Sequence, residues 1–172
     1  EDPNAGTREV PFTKNLYIER EDFALDPPPK FFRLKKGGEV RLMGAYIIRC
    51  DDVVLNENGE IEKLLCSADL ETRNNNPADG RKIKGTIHWL SAETAVRGTA
   101  RLYDRLFTLE NVADIPEDKG YRDYLNPNSL KVCENCFFEP SLASAKPGDR
   151  FQFVRLGYFC ADTKYPGSFN RI

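Results

Sequence analysis

The 172-residue chain has few of the side chains from which active sites are built. Its only histidine, His88, stands beside its only tryptophan, Trp89. No nucleophilic side chain is paired with a base in the sequence, and neither common glycine-rich phosphate loop occurs. A single histidine beside a tryptophan on a predicted strand is more often structural than catalytic. We therefore expect no catalytic residue in this chain.

The cysteines are present in a pattern that argues against a disulfide framework. They number five, with irregular spacing, which is typical of reduced thiols in a cytoplasmic protein. Cys133 and Cys136 form one C-x-x-C pair, whereas structural zinc needs four ligands, usually from two such pairs. We therefore expect no bound metal. Because no βαβ pattern surrounds the pair, a thioredoxin-like redox role is not indicated.

Long apolar runs and a large excess of one charge are also missing. No apolar segment approaches the roughly 20 residues of a membrane span, and no signal peptide is evident, so we expect no membrane partner. The formal net charge is −2, so nucleic-acid binding cannot depend on overall charge. It would require a basic face on a nearly neutral protein.

The chain also lacks a helical apolar stripe of three turns. Short strand-like segments instead recur between glycine, proline and asparagine residues, which predicts an all-β fold, most simply β-barrels. One long strand is expected from Glu39 to Leu55, returning through a turn at Asn58-Gly59. Residues 1–9 are expected to be a tail or linker from an upstream part of a longer protein. A weak domain boundary falls between Gly85 and Ser91.

The middle of the chain carries its clearest strand pattern. Residues 77–80, with the sequence P-A-D-G, predict a turn because glycine accepts a positive φ without steric cost. From Arg81 to Trp89 the side chains should alternate between two faces, with Lys82 and Lys84 on the same one. Two lysines on one strand face suit a polyanion, although an ordinary solvated face has the same pattern.

The segment from residue 30 to residue 41 concentrates positive charge. Phe31 and Phe32 stand among its basic side chains, and aromatic rings between cations suit single-stranded RNA, which offers unstacked bases and phosphates. Residues 51–62 hold five carboxylates and no basic residue. This polarity fits RNA binding or, equally, two exposed hairpins of mixed charge. The basic residues are Lys30, Arg33, Lys35, Lys36 and Arg41.

Several motifs resemble the C-terminal anticodon-binding region of glutaminyl-tRNA synthetases. The most specific are G-T-I-H-W at residues 85–89 and R-L-Y-D-R-L-F at residues 101–107. The resemblance runs from about residue 8 to the end of the chain. Further matching stretches are R-E-V-P-F from Arg8, G-E-V-R-L from Gly38, P-A-D-G-R-K from Pro77, F-Q-F from Phe151 and G-Y-F from Gly157.

The resemblance implies a fold and a task. The fold is two six-stranded β-barrels of the ribosomal protein L25-like type, in residues 10–85 and 86–172, with strands shared between them. The task is to bind the unstacked anticodon bases of tRNA(Gln), and not DNA, within a monomeric cytoplasmic ligase. An upstream catalytic domain would use ATP and Mg²⁺ to attach glutamine. Neither class I signature motif is present here, so this fragment should need no cofactor and catalyse nothing alone.

Residues of the RNA interface follow from the matching motifs. Arg33 corresponds to the arginine that reads the third anticodon base, a guanine, whose O6 and N7 suit a bidentate arginine. Gln152 and Arg155 correspond to the pair that lines the pocket for the central uracil. Arg41 corresponds to a basic position near the first anticodon nucleotide. Lys30 belongs to the same predicted RNA-binding surface.

The spacing of the Gln152 site raises a geometric question. Alternation places Phe151 and Phe153 in the core and Gln152 outside, whereas Arg155 shares the parity of the phenylalanines. Both polar side chains can reach one base only if the strand bends, bulges or ends near Val154. We expect them to open onto one groove, shared with the Arg33 to Arg41 strand pair.

Three other interpretations stay open at this point. The first is the equivalent domain of an archaeal or eukaryotic-type glutamyl-tRNA synthetase, which shares the fold; the Gln152–Arg155 arrangement favours the glutaminyl enzyme. The second is a non-enzymatic RNA-binding module of the L25-like type. The third is a β-rich protein-interaction module, which predicts no salt-dependent binding to tRNA.

Overall fold

The computed structural model describes residues 6–73 and 75–172, and within them the fold is all-β, as predicted. None of the described helices is long and apolar enough to cross a membrane. Short 3-10 turns at Arg20–Asp22, Leu70–Thr72, Val112–Asp114, Tyr121–Tyr124 and Pro140–Ser144 are the helical elements of this part of the chain. The strands are β1 (Leu16–Ile18), β2 (Glu39–Leu42), β3 (Ile47–Leu55), β4 (Ile61–Asp69), β5 (Thr86–Ile87), β6 (Trp89–Ser91), β7 (Val96–Tyr103), β8 (Leu130–Phe138), β9 (Arg150–Phe153), β10 (Gly157–Ala161) and β11 (Ser168–Arg171).

The chain divides into two compact units, the first ending at Glu93 and the second spanning Thr94–Ile172. Strands β1 to β6 belong to the first unit, and strands β7 to β11 belong to the second. The boundary lies after β6 because β5 and β6 pair with earlier strands of the first unit. Strand β5 runs parallel to β2, and β6 pairs antiparallel with β1.

The first unit consists of a four-stranded sheet, ordered β4-β3-β2-β5, and the β1-β6 pair. The predicted turn at Asn58-Gly59 joins β3 to β4, and Gly59 has a φ of 78°. Alternation along β2 buries Val40 and Leu42 completely. The core of this unit also contains Phe23, Leu34, Ala45, Ile48, Cys50, Ile87 and Trp89.

The expected single strand from Glu39 to Leu55 is wrong, because it is folded into a hairpin. The backbone turns at Met43–Tyr46, where Gly44 has a φ of 66° and the Ala45 N–H donates to the Leu42 carbonyl over 2.9 Å. Strand β2 therefore pairs antiparallel with β3 rather than continuing into it. The apolar residues on both sides of Gly44 conceal this turn in the sequence.

The side chains of the central stretch alternate as predicted, but the stretch is not one continuous strand. Ile87 and Trp89 are buried, whereas Lys82, Lys84 and Thr86 are exposed. The stretch is divided between β5 and β6, and residues 81–85 precede β5 as extended chain without assigned strand pairing. Sequence alternation thus predicts the faces correctly, although it does not show where the pairing partner changes.

Arg81 holds this extended chain against the sheet. Its guanidinium lies 3.1 Å from the Glu39 carboxylate, 2.7 Å from Asp69 and 2.6 Å from Asp79. The pKa of the Asp79 carboxyl is lowered, mainly by the backbone N–H of Arg81 and then by its guanidinium. A planar guanidinium can serve several carboxylates at once because it has five donors in fixed directions.

The second unit is a five-stranded sheet, ordered β8-β7-β11-β10-β9, with an aromatic core. Phe151 and Phe153 pack against this core, as the alternation of β9 predicts. The Phe153 and Phe159 rings stack with centroids 4.3 Å apart, and the Phe138 and Phe169 centroids are 4.9 Å apart. Offset and edge contacts of this kind add to the hydrophobic gain of burying the rings.

The C-x-x-C pair lies in β8 and faces this core. A register shift opposite Gly98–Ala100, with Asn135 at a φ of 57°, turns both Cys133 and Cys136 towards the packed side. The Cys136 thiol donates to the Cys133 carbonyl oxygen, with Sγ and O 3.2 Å apart. Within residues 6–73 and 75–172, no group of three or more His, Cys, Asp or Glu side chains could hold a metal ion.

Asp162 should make the second unit sensitive to acid. Hydrogen bonds from the Lys164 N–H, the Asn170 amide and the Tyr165 N–H, with the Arg101 charge, lower the pKa of this carboxyl to about 2. The stabilisation is complete above the ordinary aspartate pKa near 4 and is lost as the pH falls from about 4 to 2.

We therefore expect Asp162→Asn to lower the melting temperature at neutral pH and to flatten its decline between about pH 4 and 2. Circular dichroism melts across this pH range measure both effects. Asp118→Asn, at an exposed position of the same unit, is the control. An Asp162→Asn variant with the parent's melting temperature and acid profile would contradict the assigned role.

Candidate nucleic-acid interface

An open groove of about 510 Å³ in the first unit is lined by five basic side chains. One wall is formed by residues 27–33 and the other by residues 82–85. Among the described residues lining it, the only carboxylate is that of Glu39, which already pairs with Arg81. The groove therefore presents a surplus of cations to a ligand. Its basic residues are Lys30, Arg33, Lys35, Lys82 and Lys84.

The groove joins two features that lie far apart in the sequence. The chain entering β5 passes so close to the opposite wall that a Cβ on Gly85 would lie 1.8 Å from the Phe32 carbonyl oxygen. Only glycine permits this approach. The lysine face of the central stretch thereby becomes the second wall of the groove that starts at Lys30. Nothing in the sequence spacing predicts that the basic segment from Lys30 and the central stretch lie side by side.

Arg33 lies in the groove with its guanidinium oriented by two acceptors. Its Nε is 3.3 Å from Oδ1 of the completely buried Asp22, and its Nη1 donates to the Glu21 carbonyl over 3.0 Å. The side chain is still 43% exposed. A guanidinium has five N–H donors, so these contacts leave capacity at the Nη1/Nη2 end for a second, bidentate partner.

Lys30 follows three prolines and has a φ of 64°, an uncommon conformation for a residue with a side chain. It is exposed at the rim of the groove. Lys36 belongs to the same basic segment but does not line this groove. Its ammonium lies 2.6 Å from the Asp52 carboxylate, and that hydrogen bond raises the pKa of Lys36 and lowers the pKa of Asp52. Part of the basic segment thus pairs with the acidic hairpin.

Arg41 is placed differently from Arg33. Its guanidinium donates to the backbone carbonyls of Ala45, Thr72 and Asn75, at 3.4, 2.9 and 2.6 Å. These bonds tie the β2–β3 turn to the segment after β4. The structure therefore gives Arg41 a packing role that its motif did not indicate. Contact between Arg41 and RNA stays a prediction.

Gln152 and Arg155 lie in the second unit, around the β9–β10 turn. Gln152 is exposed and opposite Tyr158, whose side chain on the adjacent strand is 60% exposed. Strand β9 ends at Phe153, and Arg155 occupies the turn with a φ of 68°. Strand parity therefore does not determine the direction of Arg155. That both side chains open onto one groove stays a prediction.

Comparison with known families gives a consistent result for both halves of the chain. Residues 1–69 and residues 86–162 match two models that carry the same description: tRNA synthetases class I (E and Q), anti-codon binding domain. The groove residues Lys30, Arg33 and Lys35 fall in the first match, and Gln152 and Arg155 fall in the second.

Curated relatives agree with the family match. The chain is 51% identical to a glutamine–tRNA ligase of Rhodopirellula baltica over all of its length, which is 29% of that relative. It is 50% identical to the Pseudomonas putida enzyme of that name, covering 96% of the chain and 30% of the relative. It is 52% identical to the Xanthomonas axonopodis pv. citri enzyme, covering 95% and 28%. The chain thus spans less than a third of these relatives.

Proposed function

The chain belongs to the anticodon-binding domains of class I tRNA synthetases (E and Q), and from this premise we propose that it binds the anticodon loop of a glutamine tRNA. The observation that carries the proposal is the cationic groove in which Arg33 stands oriented by Asp22 and the Glu21 carbonyl. The names of the relatives favour glutamine over glutamate as the amino acid of the cognate tRNA.

In this proposal, each part of the surface has a separate task. Arg33 donates two hydrogen bonds to O6 and N7 of the guanine at the third anticodon position. The Gln152 amide both donates to and accepts from the edge of the central uracil, and Arg155 completes that pocket. Lys30 and Lys35 neutralise phosphates, which raises affinity without reading sequence. Arg41 holds the β2–β3 turn against the segment after β4 and lies near the first nucleotide.

The reaction would be carried out by another part of the protein. We propose that the full-length protein is a glutamine–tRNA ligase, which is the name that its relatives carry. We further propose that it is monomeric and cytoplasmic and that it depends on ATP and Mg²⁺. The residues described here would supply no reacting group. They would hold the anticodon loop so that the upstream catalytic domain receives the correct tRNA. The two units, the first ending at Glu93 and the second spanning Thr94–Ile172, would share this task.

Binding of the chain to tRNA tests the proposal. Transcripts of glutamine tRNA are compared with variants at each anticodon position, by filter binding at several salt concentrations. We expect tighter binding to the parent tRNA than to variants of the central and third bases, and an affinity that falls steeply with salt. Equal affinity for all anticodons would overturn the proposed recognition. Loss of the salt dependence would indicate that the groove does not bind phosphates.

A further inference from the structure

Phe32 is an exposed aromatic ring inside the cationic groove. Its side chain is 52% exposed, and the Lys84 Nζ lies 5.3 Å from the centre of the ring. A single exposed phenylalanine has no special meaning. This one stands between the cations of both groove walls and directly precedes Arg33 in the chain.

We propose that Phe32 and Lys84 form a stacking subsite for an unpaired base of the bound RNA, next to the base that Arg33 reads. The subsite rests on the proposed function, because it needs an RNA loop in this groove. Its ligand is one nucleotide: the base covers the exposed part of the Phe32 ring, and Lys84 neutralises a neighbouring phosphate. Neither residue belongs to the set that the family motifs assign to base recognition.

The chemistry of the site fits a nucleotide better than an apolar ligand. Every base has a π face, so a phenylalanine ring binds single-stranded RNA without requiring a particular sequence. A cation beside the ring can neutralise a phosphate, and the cation is also attracted to the face of the ring. An apolar peptide would leave the groove lysines without counter-charge, whereas RNA supplies it at each nucleotide.

The fold holds both members of the subsite in position. The Phe32 backbone is confined by the close passage of Gly85, and Lys84 immediately precedes that glycine. The extended chain bearing Lys84 is in turn fixed by the contacts of Arg81 with Glu39, Asp69 and Asp79. A preorganised ring and cation lose little conformational freedom on binding, which favours affinity.

The test uses the chain and an anticodon stem-loop RNA of glutamine tRNA. Phe32→Leu keeps an apolar side chain but removes the π face, and Phe32→Tyr keeps the π face. We expect Phe32→Leu to bind about 10-fold more weakly, which is the usual size of one base–aromatic stack. We expect Phe32→Tyr to bind like the parent. Tyr121→Leu removes an equally exposed ring outside the groove and should change nothing.

Abasic substitutions in the loop identify the stacked base. One abasic position beside the guanine should weaken binding to the parent about 10-fold and have no further effect on Phe32→Leu, because both changes remove the same contact. Independent, multiplicative effects at every loop position would overturn the inference. So would a Phe32→Leu affinity equal to that of the parent.

Lys84→Gln tests the cation separately and does not alter the core. We expect the slope of log affinity against log salt to decrease by about 1, whereas Lys131→Gln on the exposed part of β8 leaves it unchanged. If Lys84→Gln behaves like Lys131→Gln, the subsite is wrong even where Phe32→Leu binds weakly. Failure of the parent chain to distinguish anticodons would instead contradict the proposed function.

Discussion

Gly85→Ala is expected to destabilise the first unit by about 3 kcal/mol or more, among the largest effects of a single methyl group in this chain. The added Cβ would lie 1.8 Å from the Phe32 carbonyl oxygen and 3.3 Å from Val40 Cγ1. The first of these neighbours is backbone and cannot rotate away. Relief of the overlap requires the β5 segment to move off β2, although the Arg41 N–H donates to the Gly85 carbonyl across this pair.

Urea denaturation followed by tryptophan fluorescence measures this effect directly. Trp89 is the only tryptophan of the chain and is buried in the core of the first unit. Gly120→Ala is the control, since its Cβ would meet nothing nearer than 4.0 Å and its φ of −108° suits any residue. We expect that control to stay within about 0.5 kcal/mol of the parent. A Gly85→Ala midpoint equal to that of the control would contradict the close passage.

Local pattern was sufficient to predict the fold class and the side-chain faces of the central stretch and of β9. Alternation placed Phe151 and Phe153 in the core, and the Asn58-Gly59 dipeptide located the β3–β4 hairpin. The β2–β3 turn was missed because Gly44 is surrounded by apolar residues that read as a continuous strand. Alternation reports which face a side chain occupies, but it does not report the strand with which its backbone pairs.

The candidate site was predictable in composition and not in assembly. The basic segment from Lys30 and the lysines of the central stretch were each visible in the sequence, yet only tertiary folding brings them to one groove. Tertiary contacts also separate residues that look equivalent in sequence. Arg33 keeps a partly exposed side chain, Arg41 bonds to three backbone carbonyls, and Lys36 pairs with Asp52.

Arg33→Lys is expected to abolish most of the preference for guanine at the third anticodon position while retaining the positive charge. A bidentate contact with guanine contributes about 1–3 kcal/mol of discrimination, and an ammonium cannot reproduce the planar fork. Arg33→Ala should lose the same discrimination and, in addition, some of the salt dependence that a cation confers. Both variants are compared with the parent on tRNAs with guanine or adenine at this position.

The comparison of the two substitutions separates base reading from phosphate binding. If Arg33 contacts a phosphate only, each variant should weaken guanine and adenine tRNAs equally, and Arg33→Lys should lose little. Because Arg33 also faces the buried Asp22, folding is checked first by tryptophan fluorescence of each variant. A folded Arg33→Lys protein that still prefers guanine by the full parental factor would show that another side chain reads this base. In that outcome the charge of Arg33, and not its fork, would be what the groove requires.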